Sequence, residues 1–106
     1  MLSAEITQGI VERIVRRFNP EKIILFGSQA RGDARPDSDV DLLIVADTDL
    51  PPRDRFPAAH RILADYPLAF DVILSTPVEY NKRRSLVNHI VYFADKYGRV
   101  IYERGA

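Results

Sequence analysis

The chain has 106 residues, of which 46% are hydrophobic and 28% are charged, and these values are typical of one globular domain with a single core. The 15 basic residues balance the 15 acidic ones, so the chain lacks the large positive charge of proteins that bind long nucleic acids by their phosphates. Cysteine is absent, which excludes disulfides, zinc–thiolate sites and thiol nucleophiles.

The first 18 residues predict an amphipathic helix. Ser3 can cap it, and its apolar positions recur at helical spacing at Ile6, Ile10, Ile14 and Phe18. Glutamates among these residues exclude a signal peptide, and no apolar run approaches the roughly 18 residues that cross a bilayer. We therefore expect a soluble, cytoplasmic protein without a membrane segment.

The rest of the chain alternates between strands and helices. We predict strands over 21–26, 40–46, 68–74 and 99–102, a short helical turn and loop over 29–38, and helices over 57–66 and 76–96. Thr76, Pro77 and Glu79 form a strong helix start with a capping box. This order predicts an α/β (α+β) fold in which one domain, 1–106, packs a mixed sheet of about four strands against helices.

Two carboxylates interrupt the second predicted strand. Asp39 and Asp41 are two residues apart, so they project from the same face at a separation of about 6.6 Å. Two carboxylates at this distance repel each other, and a cation between them removes the repulsion. Ligand sets made only of oxygen favour magnesium or manganese, which usually retain water and phosphate oxygens as well.

A third carboxylate, Asp71, lies in the middle of the apolar strand LAFDVIL, on a face that we expect to be buried unless Asp71 has a partner. If this strand neighbours 40–46, three carboxylates converge. Such a set can organise two metal ions about 3.5–4 Å apart for phosphoryl or nucleotidyl transfer.

Gly27 and Ser28 follow the first strand and precede the helical turn, where backbone N–H groups and a hydroxyl can contact an anion. Arg31 and Arg35 are candidates to approach phosphates from the loop. A pair of aspartates alone is more often solvated, and a Gly-Ser step alone is ordinary turn chemistry. The combination with Asp71 favours a metal–nucleotide site.

Other residues have simpler interpretations. His60 and His89 are isolated in helical segments, which favours surface or packing roles. The last helix carries two adjacent apolar stripes, Leu86, Ile90, Phe93 and Tyr97 beside Val87, Val91 and Ala94. This apolar arc is wider than one core face requires, so a protein partner or self-association remains an alternative use of the excess surface.

The segment GSQARGDARPDSDVDLLIV resembles the signature of the minimal nucleotidyltransferase (MNT) branch of the polymerase β-like superfamily. With Asp71, the resemblance extends over most of the chain from 21 to 74. Many members of this branch are antitoxins encoded beside a HEPN toxin. Some of them transfer AMP from ATP to a tyrosine of that toxin.

The resemblance implies a role for each signature residue. Gly27 and Ser28 would hold the triphosphate, and Asp39 and Asp41 would bind both metal ions. Asp71 would help to hold the catalytic metal ion and to deprotonate the attacking hydroxyl. It also implies ATP as substrate, Mg²⁺ (or Mn²⁺) as cofactor and a HEPN toxin as partner. Two alternatives stay open: an antitoxin that acts by binding alone, and a transferase that modifies a small molecule or RNA.

Overall fold

The computed structural model describes residues 2–105. Within this range the chain forms, in order, α1 (Ala4–Phe18), β1 (Lys22–Phe26), α2 (Ser28–Arg31), β2 (Val40–Val45), α3 (Pro52–Leu63), β3 (Phe70–Ser75), α4 (Pro77–Arg83), α5 (Ile90–Tyr97) and β4 (Arg99–Glu103). None of the helices in this range is long and apolar enough to cross a bilayer.

The four strands form one sheet in the order β3-β2-β1-β4. β1 runs antiparallel to both β2 and β4. β2 and β3 are parallel, and α3 lies in the crossover between them. The predicted mixed sheet of about four strands packed against helices is confirmed.

Both faces of β2 are covered over most of its length. Val40, Leu42 and Ile44 are buried in the larger core, to which α1 and α3 contribute. On the opposite face, Leu43 and Val45 pack in a smaller core with residues of α4 and α5. Alternation along β2 therefore places Asp41 on the α5 side of the sheet, just beyond the end of this smaller core.

The N-terminal helix agrees with its prediction. The Ser3 hydroxyl accepts a hydrogen bond from the Ile6 N–H at 3.1 Å, and α1 ends at Asn19, which adopts a left-handed conformation. Ile10 and Ile14 are fully buried, whereas Ile6 is partly exposed.

The predicted helix over 57–66 has the wrong boundaries, since α3 starts at Pro52 and ends at Leu63. Pro52 starts the helix, and Pro57 lies inside it without ending it. Proline at this position removes only one backbone hydrogen bond, and burial of Ala58, Ala59 and Leu63 against the sheet offsets the loss.

The predicted single helix over 76–96 is also wrong. α4 begins with the expected Thr76–Glu79 capping box but ends at Arg83, and α5 starts at Ile90. His89 caps α5, because its Nδ1 atom accepts a hydrogen bond from the Val91 N–H at 3.1 Å. The break allows α4 and α5 to cover different parts of the sheet.

Arg55 ties α3 to β3 and α4. Its guanidinium donates to the Leu50 and Leu74 carbonyls and, at 2.6 Å, to Glu79 Oε1, and the two charged side chains are 13% and 26% exposed. The hydrogen bond from Arg55 and the N–H of Thr76 lower the pKa of Glu79, and partial burial opposes them.

We predict that Glu79→Gln lowers the free energy of unfolding at neutral pH by about 2 kcal/mol, a value typical of a charged hydrogen bond. A lowered carboxyl pKa contributes stability above the unfolded value of about 4.3, and this contribution is lost as the pH falls through the folded pKa. Urea titrations at several pH values should therefore show the variant and the parent converging in acid.

The surface pair Arg13–Asp65 provides the control, because the Asp65 side chain is 69% exposed. Asp65→Asn should cost less stability than Glu79→Gln at neutral pH. Equal losses of unfolding free energy in the two variants would contradict the stabilising role that we assign to the hydrogen bonds of Arg55.

Candidate active site

Asp41 and Asp71 are opposite each other in the parallel β2–β3 pair. They point to the same face, because their neighbours Leu42 and Val72 are both buried in the larger core on the other side. Asp39 precedes β2 and is exposed. The structure thus brings the three carboxylates predicted from sequence to one end of the sheet.

The acid–base properties of Asp41 reflect this arrangement. Burial raises the pKa of the Asp41 carboxyl, and the negative charges of Asp71 and Asp39 raise it further, while the positive charge of Arg31 opposes them. The three carboxylates and Arg31 therefore share one electrostatic environment.

The position of Asp71 differs from the sequence expectation in one respect. Asp71 is the second residue of β3 and is exposed, although Ile73 and Ser75 on the same face are half-buried and buried. The smaller core therefore ends before Asp71, which removes the cost of desolvating the carboxylate and leaves it accessible.

Gly27 lies directly against the Asp41 carboxylate. It follows Phe26, which pairs with Asp41 across β1–β2, and its backbone has φ 74° and ψ −156°, a region adopted essentially only by glycine. A Cβ atom at this position would overlap Asp41 Oδ2. Glycine is thus required both by the backbone turn and by the closeness of the carboxylate.

The turn after Gly27 is the four-residue helix α2. Its closing hydrogen bonds run from the Ala30 and Arg31 N–H groups to the Gly27 carbonyl at 3.1 Å. As at any helix start, the first N–H groups, here those of Ser28 and Gln29, lie outside this pattern. Ser28 is half-buried beside Gly27, at the position predicted for an anion contact.

The two candidate arginines differ in position. Arg31 influences Asp41 and makes a solvated ion pair with Asp33 at 3.3 Å. Arg35 lies on the exposed loop, where its N–H donates to the Ser38 hydroxyl at 2.7 Å. Within the described part of the chain, Arg31 is close enough to the carboxylates to influence Asp41, and Arg35 is not among the residues that do so.

A cleft of about 560 Å³ opens between α5 and this end of the sheet. This volume is within the range of small-molecule sites. One side of the cleft carries the polar groups of the candidate site, and the other side is apolar. Its lining residues are Gly27, Arg31 and Asp41 on the first side, and Phe26, Ile90, Phe93 and Tyr97 on the second. A different cleft of about 330 Å³, beside α4 and β4, does not include the carboxylates.

The carboxylates suit a hard divalent cation by their chemistry. No group of three or more acidic, histidine or cysteine side chains in residues 2–105 is arranged to hold a metal ion by itself. Magnesium usually takes one or two carboxylates and completes its shell with water and substrate phosphates. Asp39 and Asp41 fit that mode, in which the nucleotide supplies the remaining oxygens.

The apolar side of the cleft was not identified as part of a site from the sequence. Its signal was the excess width of the apolar arc, to which Ile90, Phe93 and Tyr97 belong. Gln29 was also missed: its side chain is buried, and its Oε1 atom has no hydrogen-bond partner in the described part of the chain. A glutamine after Gly-Ser gives no indication of burial in the sequence alone.

The two histidines take structural roles. His60 is exposed and stacks on Phe56 with ring centroids 5.6 Å apart, as expected for a surface residue. His89 lies outside the helices, where it caps α5. Arg84 pairs with Asp95 at 3.1 Å.

Comparison with known proteins identifies the family of the chain. The family profile described as "Nucleotidyltransferase domain" matches residues 8–96. A protein of Methanocaldococcus jannaschii named "putative protein adenylyltransferase" is 35% identical over 82 residues, which make up 77% of this chain and 78% of that protein. A second protein of that organism with the same name is 39% identical over 62 residues, or 58% and 61% of the two chains.

The fold has a counterpart among solved structures. The crystal structure of a "putative nucleotidyltransferase" from Sulfolobus solfataricus superimposes with a TM-score of 0.65 over 94% of this chain and 79% of that chain, at 24% identity. This similarity shows the polymerase β-like fold, and the family match and the 35% relative show the membership. The chain is therefore a nucleotidyltransferase of the MNT-like family.

Proposed function

We propose that this nucleotidyltransferase transfers AMP from ATP to a hydroxyl group, by preference that of a tyrosine, on a partner HEPN toxin and so acts as its antitoxin. The observation that carries the proposal is the pairing of Asp41 with Asp71 beside Gly27 at one end of the sheet. The name "putative protein adenylyltransferase" of the two Methanocaldococcus jannaschii relatives supports a protein as the acceptor.

In the proposed reaction, the acceptor oxygen attacks the α-phosphorus of ATP. An oxygen–phosphorus bond forms, the bond from the α-phosphorus to the oxygen bridging to the β-phosphorus breaks, and pyrophosphate leaves with the electron pair. Gly27 and Ser28 bind the triphosphate, Arg31 offsets its charge, and Asp71 accepts the proton of the attacking hydroxyl. The exposed position of Asp71 suits this role, since the acceptor must reach it from solvent.

Asp39 and Asp41 would hold Mg²⁺, or Mn²⁺, together with phosphate oxygens, and Asp71 would help to hold the ion nearer the acceptor. A bound divalent ion would lower the pKa of the attacking hydroxyl and neutralise charge on the phosphates. The raised pKa of Asp41 supports this assignment, because a cation would relieve the repulsion that contributes to it.

The test is to incubate the protein and the product of the adjacent gene with labelled ATP and magnesium, then to analyse the second protein by mass spectrometry. We expect a mass gain of one AMP or more on a hydroxyl side chain and loss of the toxin's ribonuclease activity. Binding of the two proteins without any AMP transfer would contradict the proposal.

A second candidate is an antitoxin that acts by binding alone. It is favoured by the exposed apolar residues Leu86 and Val87 in the α4–α5 connection, which are 50% and 61% exposed. This candidate predicts that Asp41→Asn still neutralises the toxin while a double substitution of Leu86 and Val87 by serine does not. The catalytic proposal predicts that Asp41→Asn no longer neutralises the toxin, while the double substitution of Leu86 and Val87 still does.

A further inference from the structure

Three of the apolar residues of α5 are not used by the core. Val91 and Ala94 are fully buried and attach the helix to the sheet, whereas Ile90, Phe93 and Tyr97 are 49%, 45% and 64% exposed. The rings of Phe93 and Tyr97 stack with their centroids 6.2 Å apart and their planes 20° apart. Together they present a broad aromatic surface on one side of the helix.

This surface faces the same cleft as the carboxylate site. Asp41, Gly27, Phe93 and Tyr97 all line this one cleft. Because the phosphates of a bound nucleotide are covalently joined to its base, a triphosphate at Gly27 places the base within one nucleoside length. The aromatic residues of the same cleft are therefore candidates to contact the base.

We propose that Phe93 and Tyr97 form the stacking surface for the base of the nucleotide, an inference that rests on the proposed nucleotidyl transfer. Stacking on aromatic side chains stabilises a bound base in many nucleic-acid-binding proteins. The cleft is mainly apolar on this side, and its volume is within the range of small-molecule ligand sites.

The order of the strands separates the base from the acceptor. Asp71 lies on β3 and Asp41 on β2, while Phe26 on β1 and the helix α5, which packs on β1, border the cleft. The cleft is therefore on the β1 side of Asp41, and the exposed Asp71 is on the opposite, β3 side. An acceptor protein can reach Asp71 without entering the cleft, which favours the nucleotide as the occupant.

The proposal has a consequence for selectivity. Hydrogen-bonding groups on the side chains that line the cleft are limited to Arg31, Asp41 and the Tyr97 hydroxyl, and we assign the first two to the metal and the phosphates. Stacking is tolerant of the base, because every base has a π face. We therefore expect the affinities for ATP and GTP to differ by less than about tenfold.

The test measures binding by calorimetry in the presence of magnesium, with α,β-methylene ATP and with inorganic tripolyphosphate, which has no base. Phe93→Ala should weaken binding of the ATP analogue about tenfold and leave tripolyphosphate unchanged. Phe93→Trp should preserve binding of the analogue. Tyr97→Leu provides a second variant in case Phe93→Ala disturbs the fold, and Val78→Ala, at an exposed apolar residue of α4 outside the cleft, is the matched control.

The outcomes are distinct. An unchanged affinity for the ATP analogue in both cleft variants would overturn the base site while leaving the transferase proposal intact, and a simultaneous loss of partner binding would assign the surface to the partner. Equal weakening of the analogue and of tripolyphosphate would also overturn it. Failure of the parent protein to bind either ligand would overturn the nucleotide site and this inference with it.

Discussion

Replacement of Asp41 by asparagine is expected to lower AMP transfer at least about a hundredfold, since several kcal/mol of metal-dependent stabilisation would be lost and each 1.4 kcal/mol is tenfold in rate. Asp41 pairs with Asp71 and lies directly against Gly27, so its loss removes the carboxylate that adjoins both parts of the candidate site. Mass spectrometry of the modified partner measures the effect.

The same substitution should make the protein more stable at neutral pH. Burial and two like charges raise the pKa of Asp41, so the ionised carboxylate is unfavourable in the folded state. This penalty is absent below the unfolded pKa of about 3.9, where the group is protonated, and it develops as the pH rises through the folded value. The melting temperature of Asp41→Asn should therefore exceed that of the parent at pH 7 and match it in acid.

Asp47 provides the control, because it follows β2 at the opposite end and is exposed. Asp47→Asn should change neither transfer nor melting temperature. A variant of Asp41 that is inactive but less stable than the parent would indicate that the carboxylate serves the fold, and would contradict the interpretation of the site.

Gly27→Ala should lower both stability and nucleotide binding. The backbone of Gly27 occupies a region that alanine avoids, at a cost of about 1–3 kcal/mol, and the added methyl group would displace the Asp41 carboxylate. We expect a lower melting temperature and a loss of affinity for ATP of at least about tenfold. Thermal denaturation and calorimetry measure the two effects.

Gly105→Ala separates the two causes. Gly105 also has a positive φ, of 80°, but no atom lies within 4 Å of the position of its Cβ. This variant should retain full nucleotide binding, and the change in its melting temperature measures the effect of backbone strain alone. If Gly27→Ala binds ATP as tightly as Gly105→Ala does, the contact between Gly27 and Asp41 has no part in forming the site.

Features that depend on nearby residues could be predicted from the sequence. The cap at Ser3 and the capping box at Thr76 each involve positions three residues apart. The boundaries of α3 and the break between α4 and α5 could not, because packing on the sheet tolerates Pro57 and because the His89 cap competes with continuation of the helix.

The candidate site likewise combines features that depend on nearby residues with features that depend on distant ones. The signature from Gly27 to Asp41 is local, whereas the pairing of Asp41 with Asp71 depends on the register of two strands separated by a helix. From the sequence, we could state that Asp41 and Asp71 come together only on the condition that their two strands are neighbours. The aromatic cleft depends on where α5 lies on β1, and an apolar arc in a sequence does not say what it faces.

Asp71 also affects the tendency of this protein to associate with other copies of itself. β3 is the outermost strand of the sheet on its side, and unpaired outer strands invite the addition of a strand from another molecule. A strand joining β3 would have to accommodate a charged carboxylate at the second residue of its new neighbour. We therefore expect the residue that we assign to proton transfer also to disfavour strand addition at this edge, so loss of its charge should reduce solubility as well as activity.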